Sequence, residues 1–276
     1  MNSSTLIDLE IKLLLEGVYQ VYGYDFRDYS EASLRRRLLH WLSDSGFETL
    51  SQAQSVLLRN RALFDTLLRG ITVNVSEMFR DATFFKAIRE QVVPHLKTYP
   101  FVKIWHAGCS TGEEAYSMAI LLLEEGMQGR FRIYATDIND AVIRSAQEGI
   151  YPLKVLQNFT RNYQRSGGTG SFSDYYTARY DYAILSPSLR ENIVFAAHNL
   201  TADAAFGEMN LILCRNVMIY FKPLLKEQVL ELFDSSLVPG GFLCVGSKES
   251  LDNRKISSRY EEIMTRTQIY RKRYAK

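Results

Sequence analysis

The segment Ala107-Gly108-Cys109-Ser110-Thr111-Gly112 runs directly into Glu113-Glu114. Its two glycines let the backbone pass close to a ligand, because no Cβ stands in the way. Ser110 and Glu113 have the S-x-x-E spacing of a capping box, so a helix is expected to start here. The free N–H groups at such a helix end hold a carboxylate or a phosphate. The loop lacks both the G-x-G-x-x-G dinucleotide pattern and the G-K-[ST] of a phosphate-binding loop. It carries no basic residue to neutralise phosphates, and two carboxylates open the helix instead. Such a site suits a cofactor with a cationic centre and one small carboxylate. S-adenosylmethionine, with a sulfonium, an ammonium and a carboxylate, has that character. Gly108, Glu113 and Glu114 are the candidate cofactor residues here. Glu113 either touches the cofactor or only caps the helix, and Glu114 either touches it or faces water. Asp137 lies 24 positions after Glu113, close to the spacing at which α/β nucleotide sites place an acid for ribose hydroxyls. Its other reading is an N-cap for a helix starting at Asn139.

The elements that must carry these residues fall into two patterns. Residues 1–72 read as a small helical bundle. Leu6, Leu9, Leu13 and Leu14 keep a helical period in the first helix. A second helix starts near Ser33 and ends at Gly46, a third spans about Leu50 to Leu58, and a fourth runs from Arg61 to Arg69, closed by Gly70. From about residue 100, apolar strands alternate with amphipathic helices: strands at 103–108, 132–138, 193–198, 211–214 and 242–246, helices at 113–125, 139–148 and 223–237. Pro239-Gly240-Gly241 reads as the turn into the last of these strands. The fold class is α/β, with a parallel sheet covered on both faces. Residues 151–192 break the alternation. Their Gly-rich turn and Tyr-rich stretch read as a small antiparallel β insertion. Two short strands are expected within 260–273.

Bulk properties limit the function classes. With 276 residues, 46% hydrophobic, 23% charged and a formal net charge of +2, the chain resembles an ordinary globular protein with room for two domains. That charge gives no support to nucleic-acid or membrane binding. Cys109, Cys214 and Cys244 are few and odd in number, which argues against a disulfide framework and for a cytoplasmic setting. No His or Cys spacing suggests a metal site. No run reaches the roughly 18 apolar residues of a membrane span.

Several stretches resemble one family closely, the CheR chemotaxis receptor methyltransferases: ITVNVSEMFRD (71–81), WHAGCSTGEEAYSMAI (105–120), YATDIN (134–139), Asn199-Leu200, CRNVMIYF (214–221) and PGGFLCVGSKESL (239–251). The resemblance covers nearly the whole chain. It implies an N-terminal helical domain (1–72) and a Rossmann-like class I methyltransferase domain (73–276) that carries the insertion. It implies S-adenosylmethionine as cofactor, S-adenosylhomocysteine as product and no metal. The acceptors it implies are glutamate side chains on the cytoplasmic helical domain of chemoreceptors. By motif, Asn74, Ser76 and Arg80 reach the cofactor, Glu114 rather than Glu113 binds it, and Asp137 holds the ribose. Asn199-Leu200 and Asn216-Val217 flank the adenine and the methionine end, and Arg80 and Tyr220 stand near the transferred methyl. Ser76 departs from the threonine expected there but keeps the hydroxyl.

A glutamate carboxylate is already ionised at neutral pH, so methyl transfer to it needs no general base. That fits the lack of an obvious catalytic His or Cys. Arg80 suits a partner for the acceptor carboxylate, since a guanidinium matches its planar fork. Arg35, Arg36 and Arg37 form a basic run on the second helix that either docks an acidic receptor helix or is a solvated face. Neighbours about 100° apart cannot all share that face. A monomer is expected. Two other readings are a methyltransferase acting on nucleic acid or a small molecule, and a non-catalytic S-adenosylmethionine-sensing scaffold. Cys214 lacks the preceding proline of cytosine-C5 enzymes, and no N-P-P-Y-like turn follows the fourth strand.

Overall fold

Leucines at helical spacing, punctuated by Gly, Thr and Asn, give the N-terminal stretch four helices: α1 (Ser3–Tyr22), α2 (Glu31–Ser45), α3 (Leu50–Leu57) and α4 (Arg61–Ile71). They come from a computed structural model that describes residues 3–251, 254–264 and 267–274. Thr49 accepts from the Gln52 N–H and Asn60 from the Leu63 N–H, so each satisfies an otherwise orphaned donor at a helix start. Gly46 ends α2 in the left-handed conformation at φ 77°.

One expectation changes in this region. Gly70 does not close α4. A Cβ there would stand 3.3 Å from Trp41 side-chain carbons, so the glycine lets α2 and α4 approach, and the helix ends at Thr72, whose hydroxyl bonds the Leu68 carbonyl. In α1, Leu6, Leu9 and Leu13 are half exposed, and the buried residues are Leu14, Leu15 and Val18. Helical spacing alone does not decide which of two adjoining apolar stripes turns inward. These helices form one unit, Met1–Asn74, together with Tyr220–Val229. Tyr29 and Phe221 form an antiparallel bridge. The Ser30 N–H donates to the Tyr220 carbonyl at 2.7 Å, and Lys222 pairs with Glu31 at 3.1 Å.

The second unit is Val75–Ile219 with Leu230–Lys276. It opens with α5 (Ala82–Ala87), a π-helical turn (Ile88–Val92) and α6 (Val93–Leu96). Then come β1 (Val102–Ala107), α7 (Glu113–Glu124), β2 (Phe131–Asp137), α8 (Asp140–Glu148), β3 (Ile150–Pro152) and α9 (Leu153–Arg165). β4 (Tyr176–Arg179), β5 (Tyr182–Leu185), α10 (Pro187–Arg190), β6 (Ile193–Ala197) and β7 (Met209–Cys214) follow. The chain continues through α11 (Pro223–Ser236), β8 (Leu237–Val245), α12 (Arg254–Ser257), β9 (Tyr260–Met264) and β10 (Ile269–Lys272). The main sheet has the order β6-β2-β1-β7-β8-β10-β9. β6 to β8 are parallel, and β10 and β9 are antiparallel. Ile104 pairs with Ile133 on one side and Leu211 on the other, and Leu211 pairs with Phe242. This apolar row across four strands is buried. The chain leaves β1 toward β2 but later returns on the opposite side as β7. The carboxyl ends of β1 and β7 therefore flank the switch point where open α/β sheets bind ligands.

Residues 150–185 hold the expected antiparallel sheet, with strand order β3-β5-β4. They also hold a helix that the sequence reading missed. α9 buries Leu156, Phe159 and Tyr163, a helical stripe masked by the Gly- and Tyr-rich stretches beside it. Pro239-Gly240-Gly241 is likewise not a turn before a strand but lies within β8. The ladder slips there, from Met209 opposite Leu237 to Leu211 opposite Phe242.

A carboxylate centre fastens the insertion. Glu124, whose side chain is 4% exposed, takes Arg89 at 2.6 Å, the Tyr175 hydroxyl at 3.0 Å and the Tyr163 hydroxyl. Gly168 packs against that tyrosine, and a Cβ there would stand 2.3 Å from its ring. Burial raises the Glu124 pKa, but the bonds from Tyr163, Arg89 and Tyr175 outweigh burial and leave it below its ordinary value. A depressed folded-state pKa stabilises above the unfolded value and is lost as pH falls through the folded one. Urea unfolding of Glu124→Gln at a series of pH values should therefore show lower stability at pH 7 and a flatter decline below about pH 4. An unchanged acid slope would remove Glu124 from that role.

Among the described residues no helix is long and apolar enough to cross a membrane. None of their His, Cys, Asp and Glu side chains form a group of three or more able to hold a metal ion.

Candidate cofactor and methyl-transfer site

After β1 the chain passes through three left-handed residues, Gly108 (φ 77°), Ser110 (φ 52°) and Gly112 (φ 91°). A Cβ on Gly108 would stand 2.4 Å from Val217 Cγ2, and one on Gly112 would stand 2.9 Å from the Ala146 Cβ. The protein's own packing thus demands both glycines. The expected capping box does not form. Gly112 is the N-cap of α7 and no side chain caps it, so Glu113 falls at the first helical position rather than the third. Ser110 serves differently: its N–H donates to Asp137 Oδ2 at 2.9 Å.

Asp137 also accepts from the Asn139 N–H at 3.1 Å. It is not the cap of α8. Asn139 is, accepting from the Ala141 N–H at 2.9 Å. Burial pushes the Asp137 carboxyl above its ordinary value, opposed by the N–H bonds from Ser110 and Asn139. The His198 N–H donates to the Asp137 carbonyl at 3.0 Å, which brings Asn199-Leu200 to the end of β2. The Asn199 side chain accepts from the Thr201 N–H at 3.0 Å and the Thr201 hydroxyl at 2.8 Å.

The two glutamates differ in their partners, and both are buried. Glu113 takes the Thr111 hydroxyl at 2.7 Å. Burial raises its carboxyl above the ordinary value, with hydrogen bonds from Thr111 and Ser76 opposing. Glu114 does not face water. Its Oε2 pairs with Arg215 at 2.9 Å, and its Oε1 lies 3.5 Å from His106 Nε2. Burial lowers the His106 pKa, with Glu114 opposing, so the imidazole is neutral at pH 7. Arg215 also pairs with Asp81 at 2.6 Å and sits 3.9 Å from the Phe84 ring centroid. One guanidinium therefore joins the start of α7, the segment before α5 and the end of β7.

Arg80 stands in that segment between two left-handed residues, Phe79 (φ 52°) and Asp81 (φ 57°). Such conformations in non-glycine residues cost about 1–3 kcal/mol each, and the surroundings hold them. Phe79 is buried against Phe85 and Tyr163 and its N–H donates to Ser117 Oγ at 2.8 Å. The Arg80 guanidinium reaches the Val75 carbonyl at 3.4 Å, and among the described residues no carboxylate pairs with it. Asn216 is left-handed too, at φ 61°.

Several buried polar atoms here have no hydrogen-bond partner: Ser110 Oγ, His106 Nδ1, Glu114 Oε1, Arg215 Nε and Asn216 Oδ1. Orphaned buried groups are costly. Their gathering around the ends of β1 and β7 is what a site completed by a polar ligand requires.

The remaining candidates belong to the helical unit. Asn74 donates to the Thr72 hydroxyl at 3.3 Å. The Tyr220 ring lies 5.2 Å from the Arg37 guanidinium. Arg35 pairs with Asp8, whereas Arg36 is exposed and makes no ion pair among the described residues. Sequence reasoning assigned no role to Arg215, His106 or Glu249. The available signal for Arg215 was a charge directly after the apolar strand LILC, inside a motif already singled out.

Residues 74–268 match the family model of the CheR methyltransferase SAM binding domain, and residues 9–72 that of the CheR methyltransferase all-alpha domain. The Cher3 protein of Pseudomonas putida is 48% identical over 272 residues, 99% of this chain and 100% of the relative. The chemotaxis protein methyltransferase of Listeria innocua is 30% identical, over 84% of this chain and 86% of the relative. That of Salmonella typhimurium is 30% identical, over 90% and 86%. With both its helical and its cofactor-binding parts matched, the chain belongs to the CheR methyltransferase family.

Proposed function

We propose that this protein methylates glutamate side chains on the cytoplasmic helical domain of a chemoreceptor, using S-adenosylmethionine and releasing S-adenosylhomocysteine and a glutamate methyl ester. The observation that carries this reading is the buried Glu114–Arg215 centre with its orphaned polar atoms, beside an Arg80 that no carboxylate neutralises. The donor set fits the cofactor. Glu114 Oε1 and Asn216 Oδ1 accept from an ammonium, and Asp137 accepts from ribose hydroxyls. Gly108, Ser76, Glu113, Asn74, Asn199, Leu200 and Val217 complete the pocket. When bound, S-adenosylmethionine supplies a methyl group on a sulfonium leaving group. Arg80 orients the acceptor carboxylate by a planar, charge-assisted pair, and the family's motif offers Tyr220 as a second residue for the acceptor. No residue need remove a proton, because the acceptor carboxylate is already ionised at neutral pH. The rate gain comes from alignment, on the order of 7–11 kcal/mol for two well-oriented reactants.

The domain boundary in this reading falls at 72/73. The protein acts as a cytoplasmic monomer, without a metal and without nucleic acid. Burial pushes the Cys214 thiol far above its ordinary value, which counts against a cytosine-C5 nucleophile. Incubation with methyl-labelled S-adenosylmethionine and receptor cytoplasmic fragments should place label on glutamates, mapped by mass spectrometry and released by mild base. Base-stable label, or none, would defeat the assignment, and binding without turnover would favour a sensing scaffold.

The placement of the three arginines sharpens the docking idea. Arg35 and Arg37 have internal partners, which leaves Arg36 as the outward charge. Arg36→Glu should raise KM for the receptor fragment about three- to tenfold at low salt and flatten the salt dependence of kcat/KM. Equal salt slopes for the two proteins would argue that the receptor docks elsewhere.

A further inference from the structure

Glu249 follows β8 in the stretch Gly246-Ser247-Lys248-Glu249 and is buried. Its carboxylate accepts three backbone N–H groups. Oε2 takes Gly246 at 2.6 Å and Asn216 at 2.9 Å, and Oε1 takes Ile219 at 3.0 Å. One donor belongs to the chain after β8 and two to the chain after β7, so a single side chain fastens two neighbouring strand ends. Among the described residues no cation pairs with Glu249, and its charge is met by amide dipoles. The fit is close: a Cβ on Gly246 would stand 2.7 Å from Glu249 Oε2 and 2.8 Å from the Asn216 nitrogen. Asn216, one of the donors, is held left-handed at φ 61°, a conformation that a free asparagine visits only in the minority.

We propose that Glu249 is a positioning residue for methyl transfer, fixing the turn Asn216–Ile219 so that Asn216 and Val217 meet the cofactor. This rests on the reading that these two residues serve the cofactor. A carboxylate is required because all three neighbours are donors. Glutamine keeps the shape but presents an NH2 group to an N–H, so at least one of the three bonds is lost.

The test uses the full-length protein and two substitutions that act on the same bonds. Glu249→Gln removes an acceptor, and Gly246→Ala crowds the carboxylate while leaving its charge. Both should raise the Kd for S-adenosylhomocysteine about tenfold, since charge-assisted bonds to a buried carboxylate are lost. Both should lower kcat with KM for the receptor fragment unchanged. Amide hydrogen exchange should accelerate selectively at Asn216 and Ile219. Wild-type Kd and kcat in Glu249→Gln would overturn the proposal. So would an acceleration of exchange spread evenly through the cofactor-binding unit, the mark of a purely structural residue. Asn216→Ala separates the layers. If it binds the product normally, the cofactor reading of the turn fails and the proposal falls with it. If it binds weakly while Glu249→Gln binds normally, only the role of Glu249 is lost.

Discussion

Arg80→Ala should lower kcat for receptor methylation by about two to three orders of magnitude, the usual cost of deleting a preorganised charged or polar group at a reacting centre. Affinity for S-adenosylhomocysteine should fall much less, by under about tenfold. The asymmetry follows from the surroundings of Arg80. Among the described residues its guanidinium makes one hydrogen bond, a long one to the Val75 carbonyl, so its charge is kept for something that arrives. Its backbone, by contrast, is fixed by left-handed neighbours on both sides. The guanidinium must not grip too hard, because the attacking carboxylate oxygen loses charge as the new bond forms. A half-buried position suits that compromise. Single-turnover kinetics with calorimetric titration of the product would separate the two effects. A kcat within about threefold of wild type would remove Arg80 from the reaction.

Arg215→Met should be the most destabilising substitution near the site. Removing one partner of a buried ion pair leaves the other charged and unsolvated, at about 3–5 kcal/mol. Glu114 would be that residue, with its other oxygen already unpartnered. In a unit of this size such a loss lowers Tm on the order of 10 °C. Adding Glu114→Gln should restore much of the stability, because no buried charge then remains unpaired. It should not restore affinity for the cofactor, whose ammonium loses its acceptor. Calorimetric unfolding and product binding, measured on both variants, check the two halves separately. A double variant as unstable as the single one would show that the network acts through shape rather than charge.

The parts legible in the sequence were those with a local cause. Strand and helix periods located β1, α7, β2, α8 and α11. What the sequence hid was long-range. Gly112 and Gly108 signalled a ligand, yet their immediate need is room for Ala146 and Val217, residues far along the chain. The S-x-x-E spacing was genuine, but a left-handed Gly112 shifted the helix start and cancelled the cap. Glu114 could be singled out, while its partner Arg215 lies 101 positions away. A buried ion pair of that separation leaves no periodic trace. Helix α9 was lost for the opposite reason, because striking composition on its C-terminal side outweighed a modest stripe of three apolar residues.

The order in which this chain is synthesised does not match the order in which its units can close. Tyr220–Val229 completes the helical unit, with Phe221 against Tyr29 and the Tyr220 carbonyl bonded to Ser30. The four helices leave the ribosome well before this segment, and they stay without it until the strands up to β7 have followed. A fragment ending near residue 74 should accordingly behave as an unfinished bundle. Any duplication or exchange of the helical unit between proteins would have to carry the distant segment along with it.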